Sequence, residues 1–286
     1  MEANVLRRYI SDTREKTGIG WEVIEQDYAL SCVLYGISSI HELKSSLVFK
    51  GGTALKKCYF GDYRFSQDLD FSVRGDSPKG EELLLLLQRA CIQAERMMED
   101  VSYSCKRRPE KASHPEQQEA FDINVQLPWH KKFGTSVKVE ITMQEKVILP
   151  PEELVIINDY GSRVMGAIHV YKLEEIIAEK IRAILQFAKK LHERGWSRSR
   201  VRDYYDLWRI LGQYEHSINK SILPELIHKK CNVKKVALNS VEDLFEGRLM
   251  EFLNEWDMWL SPLVADIPDR DMVINDLRKK LGVLLK

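Results

Sequence analysis

The sequence predicts an α+β fold, with strands and helices intermixed over residues 1–160 and a mainly helical part over 161–286. Three observations carry this. Segments such as FDINVQL (121–127) and SVKVEIT (136–142) alternate apolar and polar residues, as half-buried strands do. Between and before such segments lie stretches whose apolar residues recur at helical spacing. From Leu173 onward the alternation stops and only the helical period remains.

Taken in order, residues 2–41 read as helical, with Trp21, Ile24, Tyr28 and Cys32 near a 3.6-residue period. Leu47-Val48-Phe49 is a short apolar strand feeding the turn Gly51-Gly52, and Thr53 is placed to cap the short helix that carries Leu55 and Tyr59. After a polar loop, DLDFSV (68–73) alternates as a strand, and residues 78–100 form a long helix with proline and acidic residues near its start. VSYSCKR from Val101 is a further strand, and residues 108–119 a polar loop. LEEIIAEKIRAILQFAKKLHER (173–194) and RVRDYYDLWRILGQ (200–213) are helices, and the remainder is helical with loops near Pro224, Asn232 and Pro262. The two parts are expected to share one cleft.

Charged residues make up 30% and apolar residues 44%, the balance of a soluble globular protein. The five cysteines are scattered without a CxxC, which favours a reduced, cytoplasmic setting. No segment reads as a signal peptide, and the leucine run 83–87 is far too short to span a membrane. Forty-three basic residues balance 43 acidic ones, which argues against non-specific coating of nucleic acid. Local charge is uneven: the stretches 189–202 and 228–235 are basic.

On a strand, residues two apart share a face, so Asp68, Asp70 and Ser72 point one way and Leu69, Phe71 and Val73 the other. Two carboxylates roughly 7 Å apart at the base repel by about 2–3 kcal/mol at an effective dielectric of about 20. A divalent cation reverses that penalty, and hard oxygen donors suit magnesium or manganese. The alternative is a polar strand face turned to water. Two features favour the metal. The strand–Gly–Gly–Thr–helix turn just upstream offers backbone amides to phosphate. A third carboxylate is also available, Glu140 or its rival Asp122. RFSQ in place of an apolar run before Asp68 speaks against an aspartyl-phosphate phosphatase, and neither GxxxxGK[ST] nor GxGxxG occurs.

Lys180 falls inside the apolar stripe of its helix, among Leu173, Ile176, Ile177, Ile181, Ile184 and Ala188. A lysine there is costly unless paired or turned to a cleft. The next helix packs Val201, Tyr204, Tyr205 and Trp208 on one face and carries Asp203 and Asp206, the latter within reach of Arg202. The plain reading is snorkelling and a surface salt bridge; the functional one is a wall that positions a nucleotide.

Together these stretches resemble the AbiEii/MenT nucleotidyltransferase toxins, a branch of the polymerase-β-like nucleotidyltransferases. The matching motifs are Gly51-Gly52-Thr53 with RFSQDLD, KIRA at Lys180–Ala183, and RVRDYYDL at Arg200–Leu207. They stand in the family's order and span residues 48–207. Thr53 replaces the serine of many relatives, and Arg202 stands where lysine is common. The resemblance implies a polymerase-β-like mixed sheet with flanking helices. It implies that Asp68 and Asp70 bind magnesium, that Gly51, Gly52 and Thr53 hold the nucleotide phosphates, that Lys180 contacts the triphosphate, and that Asp203 completes the active site, with Arg202 and Asp206 beside it. The implied reaction is attack of an acceptor hydroxyl, the 3′ end of tRNA, on the α-phosphate of an NTP, in a toxin neutralised by a cognate antitoxin. Modification of a protein or small molecule, and a non-catalytic binding protein on the same scaffold, are the alternatives; the repelling pair Asp68/Asp70 speaks against the last.

Overall fold

The structure, a computed structural model, describes residues 3–97, 101–109, 117–157, 159–161, 165–195 and 199–285. It divides into two units, Met1–Tyr171 with Leu263–Ala265, and Lys172–Pro262 with Asp266–Lys286.

The first unit opens with α1 (Ala3–Thr17), α2 (Trp21–Ser39) and α3 (His41–Ser46). The helical span expected over 2–41 is thus interrupted. Gly18 takes the left-handed conformation, φ +70°, and its N–H closes α1 on the Arg14 carbonyl. Helix α2 is buried on nearly every side from Ile24 to Ile37 and is the unit's central helix. Then come β1 (Leu47–Lys50), the single turn α4 (Gly51–Ala54) running on as a π-helical segment (Leu55–Phe60), β2 (Asp68–Val73) and α5 (Gly80–Met97). The strands β3 (Ser102–Arg107), β4 (Gln118–Gln126), β5 (Thr135–Thr142), β6 (Glu152–Val155) and β7 (Ala167–Val170) complete it. The last three residues of the helix expected over 78–100, and 110–116 of the polar loop, lie outside the described residues.

The strands form one mixed sheet in the order β3-β4-β5-β2-β1-β7-β6. β2 lies inside it, parallel to β5 and antiparallel to β1. Strands β6 and β7 are absent from the sequence reading: at four residues each they are too short for alternation to stand out. One sheet face is apolar over its centre, with Leu69, Phe71, Phe121, Ile123, Val125, Val137, Val139 and Ile141 inaccessible to solvent; at its margin Arg107 and Glu119 pair at 3.2 Å. Helices α2 and α5 pack against one another and on the strands β5 and β3. On the other face Asp68, Asp70, Asp122 and Glu140 are half-buried, and Lys50 and Ser72 are buried. Leu263 belongs to this unit, where its carbonyl accepts the Phe65 N–H at 2.8 Å.

The second unit holds α6 (Leu173–Arg194), α7 (Val201–Gln213), α8 (Leu223–Val233), α9 (Gly247–Phe252), α10 (Trp256–Leu260) and α11 (Arg270–Leu284). Helix α6 packs on α7 and α8, and α11 on α7. The apolar stripe read for α6, Leu173 to Ala188, is buried throughout. Pro224 stands in the first turn of α8, where its missing N–H costs nothing. Within the basic stretch 228–235, His228, Lys229 and Lys235 are exposed, but Lys230 is buried and ion-paired to Glu175 at 2.7 Å and Glu179 at 3.1 Å. Of the basic stretch 189–202, residues 196–198 lie outside the described residues. Among the described residues no helix is long and apolar enough to cross a membrane.

Candidate active site

Strand β1 ends at Lys50 and the chain turns at once into α4. Gly51 adopts φ +79°, and a Cβ there would stand 2.8 Å from Asp70 Oδ2. A Cβ on Gly52 would stand 2.4 Å from an Arg64 guanidinium nitrogen. The glycine pair is therefore required by a carboxylate against one residue and a cation against the other. Because the atom in the way at Gly52 is the tip of a side chain, Gly52→Ala is expected to cost only about 1 kcal/mol of stability while displacing Arg64. Its kcat/KM for nucleotide transfer is expected to fall at least about tenfold, some 1.4 kcal/mol in the transition state. Unchanged kinetics in a variant that melts normally would remove Arg64 and this turn from the site.

Thr53 does not cap α4. The N-cap is Lys50, which makes no side-chain capping bond, and Thr53 is buried inside the turn. Its hydroxyl donates to the Asp68 carbonyl at 2.5 Å, tying the turn to the start of β2. Below it, Lys57 and Asp27 form a fully buried ion pair at 2.6 Å, and the Tyr160 hydroxyl donates to the same Asp27 oxygen at 2.7 Å. This pair joins the π-helical segment to α2.

Strand register arranges the charges in rows. Lys50, Asp70 and Glu140 are cross-strand neighbours on β1, β2 and β5. Asp68, Lys138, Asp122 and Lys106 form the next row, on β2, β5, β4 and β3. Of the two candidates for a third carboxylate, Glu140 stands directly beside Asp70. Asp122 lies one strand further and is held by Arg108 at 2.6 Å. Glu140 is ion-paired with Lys138, and Lys50 with the buried Glu145. Ser72 donates to Glu145 at 3.4 Å and accepts from the Tyr171 hydroxyl at 2.8 Å.

Burial pushes the Asp70 carboxyl up to about 7; Lys50 and Lys138 oppose the rise, and Glu140 and Asp68 add to it. Among the described residues no three His, Cys, Asp or Glu side chains gather around one point as a ready-made metal cage. Two carboxylates on an open sheet face still fit magnesium or manganese, which take one or two carboxylates and leave other positions to water and phosphate. A carboxyl raised by burial, with two further acids beside it, is one that a divalent cation would relieve. The consequence for stability has a definite sign. Asp70 holds its proton more tightly folded than unfolded, with about 7 against 3.8, so its contribution is present below about 4 and is lost as pH rises to about 7. The melting temperature of chelator-treated protein, relative to Asp70→Asn, is expected to fall from pH 5 to pH 8, with magnesium restoring more at pH 8. A difference that stays flat across this range would contradict the assignment.

In the second unit, Lys180 lies buried between Asp203 at 3.0 Å and Asp206 at 2.5 Å, joining α6 to α7. Arg200 adds a second cation to Asp203 at 3.5 Å. Burial alone would raise the Asp203 carboxyl, but Lys180 and Arg200 outweigh it and hold the group below the ordinary value. Arg202 is half-buried on the same helix. The lysine that seemed misplaced in its stripe is thus balanced by two acids from the next helix, a pairing that i+3 and i+4 spacing within one helix could not show.

The first unit therefore brings together Gly51, Gly52, Asp68, Asp70 and Glu140, and the second Lys180, Asp203 and Asp206. The reading of the sequence missed Lys50, Arg64 and Lys138. Arg64 had a signal, since it opens RFSQDLD, and Lys50 directly precedes the glycine pair. Lys138 is found only through the β2–β5 register.

The whole chain resembles MenT4, a nucleotidyltransferase toxin of Mycobacterium tuberculosis H37Rv: the TM-score is 0.65 at 19% identity, covering 99% of this chain and 89% of that one. No curated protein matches it significantly by sequence. A model of the nucleotidyl transferase AbiEii toxins, type IV toxin–antitoxin system, matches residues 32–282, which include the glycine turn, both aspartates of β2 and the lysine–aspartate cluster. This match covers most of the chain, and the protein is a member of the AbiEii nucleotidyltransferase toxin family.

Proposed function

We propose that the protein transfers a nucleoside monophosphate from an NTP to the 3′-terminal hydroxyl of an RNA, tRNA first among the candidates, and acts in the cytoplasm as a toxin neutralised by a cognate antitoxin protein. The observation that carries this reading is the row Lys50–Asp70–Glu140 beside the glycine turn: acids built to be neutralised by a cation, next to backbone and a guanidinium suited to phosphate.

Asp68 and Asp70 would hold magnesium or manganese, with Glu140 as the neighbouring third carboxylate. When bound, the cation supplies charge stabilisation to the phosphoryl oxygens. The Gly51 and Gly52 backbone and Arg64 bind and orient the phosphates, the turn being held by the Thr53–Asp68 hydrogen bond. Lys50, backed by Glu145, offsets the charge of Asp70. Lys180 neutralises the triphosphate as pyrophosphate leaves, and Asp203 and Asp206 hold its ammonium in place. Arg202 contributes a further positive charge on α7.

Incubation with each α-labelled NTP, magnesium and total tRNA tests the proposal. Label on tRNA, lost when its 3′ hydroxyls are oxidised with periodate, is the expected result. Label on protein or on a small molecule instead would replace the RNA acceptor with that class, and no label anywhere would overturn transfer.

A further inference from the structure

The β4–β5 loop, residues 127–134, carries an exposed basic and aromatic tip, Lys131-Lys132-Phe133, and Phe133 keeps 44% of its surface accessible. A single exposed ring is ordinary on a protein surface, but this one directly follows two exposed lysines. The base of the loop is fixed. Glu25 of α2, only 6% exposed, accepts at one oxygen from the indole N–H of Trp21 and of Trp129, both at 2.6 Å, with His130 Nε2 at 3.3 Å. The Gln126 side chain donates to the His130 carbonyl at 3.0 Å, and Gly134 lies so close to the His130 ring that a Cβ would stand 2.9 Å from it.

The loop is fixed next to the site. Gln26 donates to the Gln67 carbonyl at 3.1 Å and the Ser136 carbonyl at 3.3 Å, bridging the residue before Asp68 to the start of β5. Since Asp68 pairs with Lys138, β5 runs on past Asp68 by the residues Thr135, Ser136 and Val137, about 10 Å of strand, before the loop begins. Past the loop, the open face of β4 and β3 presents Asn124, Ser104 and the exposed Lys106. Among the described residues neither Lys131, Lys132 nor Lys106 makes an ion pair.

We propose that this loop docks the single-stranded end of the acceptor nucleic acid, with Lys131 and Lys132 on its phosphates and Phe133 stacked on a base, so that the terminal hydroxyl is led towards Asp68. The proposal rests on the RNA-acceptor reading above and deepens it. Charge complementarity selects the occupant: a polyanion approaching Asp68, Asp70 and Glu140 is repelled, and a cationic loop at the end of the same strands offsets that repulsion. An aromatic ring among lysines is the sequence-tolerant arrangement that single strands use.

The test is fluorescence anisotropy of the full-length protein with a labelled single-stranded RNA ending in a 3′ hydroxyl, over a range of salt. Lys131→Glu/Lys132→Glu is expected to weaken binding at least about tenfold. In the neutral Lys131→Gln/Lys132→Gln the salt slope should fall by about 1.4, two phosphate contacts on a single strand. Phe133→Ser should weaken binding about tenfold and Phe133→Trp restore it, with NTP binding unchanged in all. If wild type binds the RNA and the loop variants bind it equally, the loop assignment is overturned and the RNA acceptor stands. If wild type does not bind it, or the variants instead lose labelling of a protein acceptor, both readings are overturned.

Discussion

Asp70→Asn is expected to abolish nucleotidyl transfer, by on the order of a thousandfold or more, and to raise the melting temperature of the metal-free protein. The two effects have one cause. Asp70 stands in a row with Glu140, next to Asp68 on its own strand, and burial and those charges lift its carboxyl to about 7. At pH 8 the metal-free protein must hold that charge against its neighbours, so an isosteric amide relieves it. The same amide no longer offers the charge that holds a divalent cation, and loss of several kcal/mol of transition-state stabilisation amounts to a hundredfold to ten-thousandfold in rate. Opposite signs for stability and activity distinguish a metal-binding carboxylate from a structural one. A variant that loses both, with a lower melting temperature in chelator, would mean that Asp70 serves the fold.

Lys180→Met is expected to cost about 3–5 kcal/mol of stability, because it leaves Asp203 and Asp206 buried without their shared cation. In a chain of this size that corresponds to a fall of roughly 10 °C in melting temperature. Activity measured on this variant alone says little. The informative chain is Lys180→Met/Asp206→Leu, which removes one acid with the lysine and leaves Asp203 its contact to Arg200 at 3.5 Å. It is expected to regain most of the stability and none of the activity. Recovery of transfer in the double variant would show that Lys180 only binds α6 to α7 and does not touch the nucleotide.

These two cases also show what a sequence exposes and what it hides. The parity of DLDFSV placed Asp68 and Asp70 on one face because period two is local geometry, and the strand does alternate from Asp68 to Phe71; beyond it Ser72 is buried against Glu145 and Tyr171 and Val73 is partly exposed. The out-of-place Lys180 was visible for the same reason, as a break in a helical stripe. Its partners were not, because Asp203 and Asp206 reach it across two helices. The choice between Glu140 and Asp122 depends on which strand neighbours β2, a matter of topology that no periodicity contains. Thr53 was misread because a hydroxyl after a glycine turn suggests a cap; here the close turn places it inside the helix, with the Asp68 carbonyl as a nearer acceptor. Strands β6 and β7 escaped because four residues carry too little pattern. Lys230 looked like part of a solvated basic run because its acids, Glu175 and Glu179, stand on α6.

In the proposed reaction an NTP is split between its α- and β-phosphates and its nucleotide part joined to an RNA end. The most direct measurement is mass analysis of the RNA 3′ fragments after incubation with unlabelled NTP and magnesium, with pyrophosphate counted in parallel. Fragments heavier by whole nucleoside monophosphate residues are expected, with one pyrophosphate released per residue added, and neither with Asp70→Asn. Fragments of unchanged mass, with inorganic phosphate released in place of pyrophosphate, would contradict it.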